Sequence, residues 1–97
     1  KNRRKIWPLA GAPMIKVLFF AKIREVLGTE GLEFDYDENY ATIEDIRDEV
    51  CKEEGEVFEE VLCATNVIVS RNHKVADLAT PIEDGDEIAF YPPVSGG

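Results

Sequence analysis

A single long amphipathic segment most constrains what this chain can fold into. Three apolar residues recur at helical spacing within residues 42–54, namely Ile43, Ile46 and Val50. That spacing predicts one helix with one apolar stripe, with Thr42 as its N-cap and Gly55 as its stop. Because a lone apolar stripe is stable only when another layer covers it, we expect the rest of the chain to supply a sheet.

Short strand-like segments surround this helix. Four of them have the β-branched or alternating apolar pattern of strands, at residues 15–20, 32–36, 66–70 and 87–91. Residues 21–27 predict a short helix that ends at Gly28, and residues 57–62 predict another. Between them lie a polar turn, an irregular or briefly extended run, and a tight acidic turn, at residues 71–74, 75–81 and 83–86. The predicted fold class is α+β, with a mixed sheet covered by the long helix.

Acidic residues dominate the charge and are unevenly placed. Four of the eleven basic residues and none of the twenty acidic residues lie in residues 1–13, so residues 14–97 carry a formal charge of −13. Because basic patches supply most of the affinity for nucleic acid, this balance argues against nucleic-acid binding. It suits basic protein partners, or simply solubility. No apolar run approaches the length of a membrane span.

Cysteine and histidine are too few for a zinc site or a cysteine–histidine catalytic pair. Cys51 and Cys63 are the only cysteines and His73 is the only histidine, and none has partners at metal-ligand spacing. We expect two reduced, mostly buried thiols in a cytoplasmic protein, and a solvated turn position for His73. The turn at residues 84–86 lacks the ligand spacing of a calcium loop, so no metal site is predicted.

Both ends of the sequence differ from the segments between them. Residues 1–13 are basic and are expected to be an extension outside the core, leaving 14–92 as the domain and 93–97 as a functional tail. Gly96 and Gly97 carry no side chains, so the carboxylate of Gly97 is unhindered and can enter a narrow tunnel. Those properties suit a carboxylate that another enzyme activates, whereas the alternative is a frayed end without a role.

Two segments of the chain contain sequence motifs that resemble those of a known family. Residues 14–21 read MIKVLFFA and are followed by Arg24-Glu25, and residues 84–97 read DGDEIAFYPPVSGG. The first resembles the opening of the small, sulfur-carrying subunit of molybdopterin synthase, and the second resembles that family's ending almost residue for residue. Residues 29–80 match only in pattern, and residues 1–13 lie outside the resemblance.

The resemblance implies a fold and a chemistry. The fold is the ubiquitin-like β-grasp, with a flexible C-terminal Gly-Gly tail. An adenylating enzyme related to ubiquitin activators would use ATP to adenylate the Gly97 carboxylate, and a sulfur donor protein would convert it to a thiocarboxylate. The large synthase subunit would accept the tail, formed by Pro92, Pro93, Val94, Ser95, Gly96 and Gly97.

Within that complex, the resemblance implies that the sulfur attacks a cyclic pterin precursor to build the dithiolene that holds molybdenum or tungsten. It also implies that the chain assembles with its partners into a heterotetramer and that it binds no cofactor permanently. The chain supplies no general acid, base or oxyanion donors of its own, so it is the sulfur-donating subunit rather than an independent catalyst.

Strand alternation predicts a docking face. If the long helix covers Val17, Phe19, Val67, Val69, Ile88 and Phe90, the opposite parity holds Phe20, Ile68 and Tyr91. These three residues are expected to form an apolar partner interface near the tail, or alternatively to close a second small core.

Three other functions stay open at this point. The chain could carry sulfur for thiamine or cysteine synthesis, which differs mainly in the partner. It could be a ubiquitin-like modifier that is joined to lysines through Gly97. The third is a small acidic β-grasp binding module with an inert tail.

Overall fold

A parallel pair of strands forms the centre of the sheet. The computed structural model describes residues 13–93 of the chain. In it, β1 (Met14–Phe19) runs parallel to β5 (Glu87–Tyr91). Antiparallel β2 (Gly31–Asp35) extends the sheet beyond β1, and antiparallel β3 (Ile68–Arg71) extends it beyond β5. The strand β4 (Lys74–Ala76) completes the order β2-β1-β5-β3-β4.

Helices cover one face of this sheet. They are α1 (Ala21–Leu27), α2 (Ile43–Glu54) and α3 (Glu56–Leu62). The apolar stripe of α2 is fully buried, as its spacing predicts. The predicted helical stops are also confirmed, because Gly28 ends α1 with φ 75° and Gly55 ends α2 with φ 108°.

The N-terminus of α2 is capped as predicted. Thr42 occupies the N-cap position, and the carboxylate of Asp45 accepts hydrogen bonds from the Thr42 amide at 3.2 Å and the Ala41 amide at 2.8 Å. These bonds satisfy donors that the first turn leaves free, and the acidic group also favours the helix dipole.

Strand alternation sorts the sheet residues into two faces. Those facing the helices are buried: Ile15, Val17, Phe19, Leu32, Phe34, Val69, Ile88 and Phe90. Val67 packs against the same core although it lies just before β3. The parity predicted for the covered face is therefore confirmed. The other side of the sheet is here called the outer face, and no helix within residues 13–93 covers it.

One strand was not predicted. Residues 75–81 were expected to be irregular or briefly extended, yet Lys74–Ala76 form β4, which pairs with β3. The connecting residues Asn72 and His73 both have positive φ, at 50° and 73°. Tight hairpin turns require this conformation, but their usual signal is a glycine that the sequence lacks here.

The cysteines are less buried than predicted. Cys51 is half-buried in α2, whereas Cys63 is exposed just after α3. The expectation of two mostly buried thiols was therefore wrong for Cys63, because it caps a short helix at the surface instead of lying within it.

Asp86 ties the acidic turn to the β3–β4 hairpin. Its carboxylate accepts hydrogen bonds from Arg71 Nε at 2.6 Å, from Asn72 Nδ2 at 2.9 Å and from the Glu83 amide at 2.7 Å. Burial alone would raise the pKa of Asp86, but these hydrogen bonds outweigh it and hold the pKa below its ordinary value of 3.8. The ionised carboxylate therefore stabilises the fold.

Asp86→Asn is expected to lower stability at neutral pH and to weaken the acid sensitivity of the fold. Because the folded pKa is depressed, the stabilisation is complete well above pH 3.8 and is lost as the pH falls through the folded pKa. Urea unfolding midpoints measured from neutral pH down to about pH 2 should fall less steeply in the variant below about pH 4. Glu60→Gln, at an exposed position of α3, serves as the matched control. An equally steep acid limb in Asp86→Asn and wild type would contradict this role.

Within residues 13–93, none of the helices is long and apolar enough to cross a membrane.

Candidate functional site

An apolar patch lies on the outer face at the end of β5. Ile68 and Tyr91 are direct partners in the β3–β5 ladder, so their side chains project to the same side. Phe20 follows β1, and its ring stacks on Tyr91 with centroids 4.8 Å apart and an interplanar angle of 7°. All three are half-buried. The structure thus brings together the three residues that alternation had placed on the outer face.

The patch continues into a shallow hollow of about 450 Å³. Its walls are formed by Ala21, Ile68, Ser70, His73, Val75, Tyr91, Pro92 and Pro93. Val75 lies opposite Ser70 on β4 and is 82% exposed, the highest value among the large apolar side chains of the described residues. Sequence reasoning missed Val75 because it did not predict β4. The hollow and the stacked rings together are called the apolar patch below.

The tail begins beside this patch. Strand β5 ends at Tyr91, and the next residues, Pro92 and Pro93, line the hollow. A backbone hydrogen bond from the Phe20 amide to the Phe90 carbonyl, 3.1 Å long, fixes the end of β5 against the segment after β1. The other predicted tail residues, at 94–97, lie outside the described residues. Proline restricts the backbone, so Pro92 and Pro93 set the direction in which the chain leaves the sheet.

The outer face becomes polar away from the tail. Lys16 on β1 lies opposite Glu87 on β5 and Glu33 on β2. The Nε2 atom of His73 lies 3.5 Å from a carboxylate oxygen of Glu87, so the two side chains form an ion pair when the imidazole is protonated. An apolar centre with a polar, charged margin is the usual composition of a protein–protein interface.

The helical side of the molecule has a different character. The exposed positions of α2 and α3 are largely acidic, and include Glu44, Asp48, Glu56, Glu59 and Glu60. This acidic layer lies on the opposite side of the sheet from the apolar patch, and its charge contributes a long-range field.

Metal chemistry has no visible basis in the part of the chain that the structure describes. Among residues 13–93, no cluster of three or more histidine, cysteine, aspartate or glutamate side chains is arranged to hold an ion. The site is an apolar surface at the end of β5, beside which Pro92 and Pro93 leave the sheet.

Comparison with known proteins agrees with this architecture. The sequence model described as the ThiS family matches residues 17–97, which include the last two strands and both terminal glycines. The chain belongs to the ThiS family. This ThiS-family protein has the ubiquitin-like β-grasp fold, as its mixed sheet and covering helices show.

Three individual proteins are similar to this ThiS-family protein over most of its length. It is 37% identical over 84 residues to the molybdopterin synthase sulfur carrier subunit of Escherichia coli, covering 87% of this chain and 100% of that protein. It matches the crystal structure of SAMP1 from Haloferax volcanii with a TM-score of 0.73 and 30% identity, over 87% of this chain and 99% of that one. It also matches a chain in the complex of subunits 1 and 2 of molybdopterin-converting factor from Helicobacter pylori, with a TM-score of 0.60 and 28% identity, over 87% and 99% of the chains.

Proposed function

We propose that this protein is a sulfur carrier in the synthesis of the molybdenum or tungsten cofactor, and that it works as the small subunit of a molybdopterin synthase. The observation that carries the proposal is the 37% identity to the E. coli sulfur carrier subunit over the whole length of that protein. The family match supports it because it extends through Gly97.

The proposed chemistry takes place at the carboxylate of Gly97. A carboxylate is a poor electrophile until it gains a leaving group. An adenylating enzyme therefore joins it to the AMP part of ATP and releases pyrophosphate. Sulfur at the oxidation level of sulfide, delivered by a donor protein, then displaces AMP and leaves a thiocarboxylate. This group is a soft nucleophile that is largely ionised at neutral pH, by analogy with reactive thiolates.

Each part of the tail has a proposed role in this chemistry. Gly96 and Gly97 have no side chains to obstruct a narrow active-site tunnel. Val94 and Ser95 span the distance between the sheet and that tunnel. Pro92 and Pro93 line the hollow beside Tyr91 and restrict the chain, which lowers the entropy lost when the tail is inserted.

The apolar patch is the proposed docking surface for the large synthase subunit, with Phe20, Ile68 and Tyr91 at its centre. In the H. pylori complex, a structurally similar chain is bound to subunit 2 of the converting factor. The partner supplies the groups that transfer sulfur to the pterin precursor, and the assembly is expected to be a heterotetramer in the cytoplasm, where ATP is available. The adenylating enzyme is expected to use the same patch in turn.

A second candidate function is protein modification. It is favoured by the similarity to SAMP1, the small archaeal modifier protein 1 of H. volcanii. In this case a lysine amine would attack the adenylated Gly97 carbonyl, displace AMP, lose a proton and form an isopeptide bond. The resulting adducts would migrate slowly in gels and would survive thiol reduction.

The proposal predicts a defined change of mass. The full chain, incubated with the host's adenylating enzyme, ATP and a sulfide source, should gain the difference between one sulfur and one oxygen atom. Fragmentation should place that change on Gly97. A chain that lacks Gly97 should show no change under the same conditions, since its carboxylate no longer reaches the activating site.

Two outcomes would separate the candidates. Incubation of the thiocarboxylated chain with the large subunit and the pterin precursor should return a plain carboxylate and yield a dithiolene product. Adducts on lysines that resist reduction, without any thiocarboxylate, would favour the modifier. Absence of any change with all the host's adenylating enzymes would overturn both.

A further inference from the structure

The two cysteines meet in one crevice on the helical side of the molecule. It has a volume of about 240 Å³ and is lined by Asp48, Cys51, Lys52, Glu59 and Cys63. Neither cysteine lies near the apolar patch, whose lining comes from other elements. This crevice is therefore separate from the apolar patch and from Pro92 and Pro93, which line that patch.

Chain geometry explains why the thiols meet. Cys51 lies in the last turn of α2, where its carbonyl accepts a hydrogen bond from the Gly55 amide at 2.9 Å. Gly55 reverses the chain with φ 108°, and α3 packs against α2. Cys63 is the C-cap of α3, and its amide donates a hydrogen bond to the Glu59 carbonyl at 3.0 Å. Both cysteine side chains therefore line the same crevice, where α2 packs against α3.

We propose that Cys51 and Cys63 are a reversible dithiol–disulfide pair, oxidised by small-molecule disulfides of the glutathione type. The bond would join α2 to α3 within one chain. A metal ion is the competing occupant for two thiols, but within residues 13–93 no third cysteine, histidine or carboxylate completes a set of ligands here. Two neighbouring thiols with no third ligand favour disulfide formation over metal binding.

The reaction consists of two balanced thiol–disulfide exchanges. The exposed Cys63, as its thiolate, attacks one sulfur of the oxidant, forms a mixed disulfide and releases one small thiolate. Cys51, as its thiolate, then attacks the Cys63 sulfur, forms the internal bond and releases the second small thiolate. The two protons lost by the protein thiols pass to the two released thiolates. The oxidant is reduced by two electrons, and a small thiol reverses both steps.

The surroundings of the two thiols determine which of them reacts first with the oxidant. Burial raises the pKa of Cys51 to about 12, and the neighbouring Cys63 adds to the effect. The charged groups around it are Arg47 and Asp48, together with Lys52 and Glu59 in the crevice wall. Cys51 is thus the resolving thiol, and closure of the internal bond should accelerate roughly tenfold per pH unit as its thiolate fraction grows.

Oxidation would also affect the core, because α3 is part of it. The ring of Phe58 packs edge-on against Phe19, with centroids 5.9 Å apart, and Phe19 in turn contacts Phe90 of β5. A bond between α2 and α3 restrains the helix that supports the end of the central strands. The oxidised protein should therefore unfold at a higher temperature than the reduced protein.

Tryptic mapping of the full chain tests the proposal directly. Lys52 lies between the cysteines, so trypsin separates residues 48–52 from residues 53–71. After treatment with oxidised glutathione, the intact mass should fall by two hydrogen atoms, and the two peptides should appear as one linked species. Reduction should separate them again. Free thiols that alkylate fully after oxidation, or masses of linked dimers, would overturn the proposal.

Single variants distinguish the two thiols. Cys51→Ser should keep one glutathione as a stable mixed disulfide on Cys63, since no resolving thiol remains. Cys63→Ser should take up glutathione at least about tenfold more slowly, because the remaining thiol is half-buried. A stable glutathione adduct on the wild-type protein, equal to that on Cys51→Ser, would show that the two thiols do not react together. The wild-type peptide map decides the question even where a variant folds poorly.

Discussion

Phe20→Asp is expected to weaken binding to the large molybdopterin synthase subunit by roughly 100-fold or more while leaving the fold intact. The ring of Phe20 is half-buried and stacks on Tyr91 at 4.8 Å, outside the core that the helices cover. An aspartate at this position would place a charge in the centre of an apolar interface with no partner to neutralise it. Isothermal titration with the host's large subunit measures the loss.

The matched control for this prediction is Val57→Asp. Val57 is also an apolar residue at the surface, 53% exposed, but it lies on α3 in the helical layer. The control should bind normally, whereas Tyr91→Asp should behave like Phe20→Asp because the two rings form one stack. Circular dichroism checks that all three variants are folded. Unchanged binding of a folded Phe20→Asp variant would remove the apolar patch as the docking surface.

Phe19→Ala is expected to cause a large loss of folding stability, whereas changes at the neighbouring Phe20 are expected to affect mainly partner binding. The Phe19 side chain is 1% exposed and contacts Phe58 from α3 and Phe90 from β5. Truncation of a buried phenylalanine costs about 3–5 kcal/mol, a large share of the roughly 5–15 kcal/mol that stabilise a domain. Urea denaturation followed by circular dichroism gives the difference in unfolding free energy.

Phe20→Ala provides the comparison for this measurement. Its side chain is half-buried and lies on the other face of the sheet, so we expect a loss of no more than about 1–2 kcal/mol. Similar losses for the two alanine variants would contradict the assignment of adjacent phenylalanines to opposite faces. Together with the binding experiment, the two alanine variants distinguish Phe19, which stabilises the fold, from Phe20, which is proposed to contact the partner.

Local signals in the sequence were sufficient for most of the fold. Helical spacing at Ile46 and Val50 identified α2, and the glycines at positions 28 and 55 marked helix ends, because glycine takes positive φ without strain. The last strand, Glu87–Tyr91, has the bounds that its apolar pattern predicted. Alternation also separated Phe19 from Phe20, which was enough to place Phe20, Ile68 and Tyr91 on the outer face.

Features that depend on distant pairing could not be predicted in this way. Strand β4 has only three residues, which is too short for a recognisable alternating pattern. It is a strand because it pairs with β3. The hydrogen bonds between Arg71 and Asp86 join residues fifteen positions apart, and the meeting of Cys51 with Cys63 depends on how α2 packs against α3. Val75 became part of the apolar patch through the same unpredicted pairing.

The parallel arrangement of β1 and β5 also determines how the domain responds to force. The start of β1 and the end of β5 lie at opposite ends of the same strand pair. Met14 is fixed to the acidic turn by a hydrogen bond, 2.8 Å long, that its backbone amide donates to the Asp84 carboxylate. Tension applied between these two points shears the pair along its length, so that the hydrogen bonds are loaded together instead of breaking one after another. Mechanical pulling on the tail, as by an unfolding motor, would therefore meet its greatest resistance at the first step.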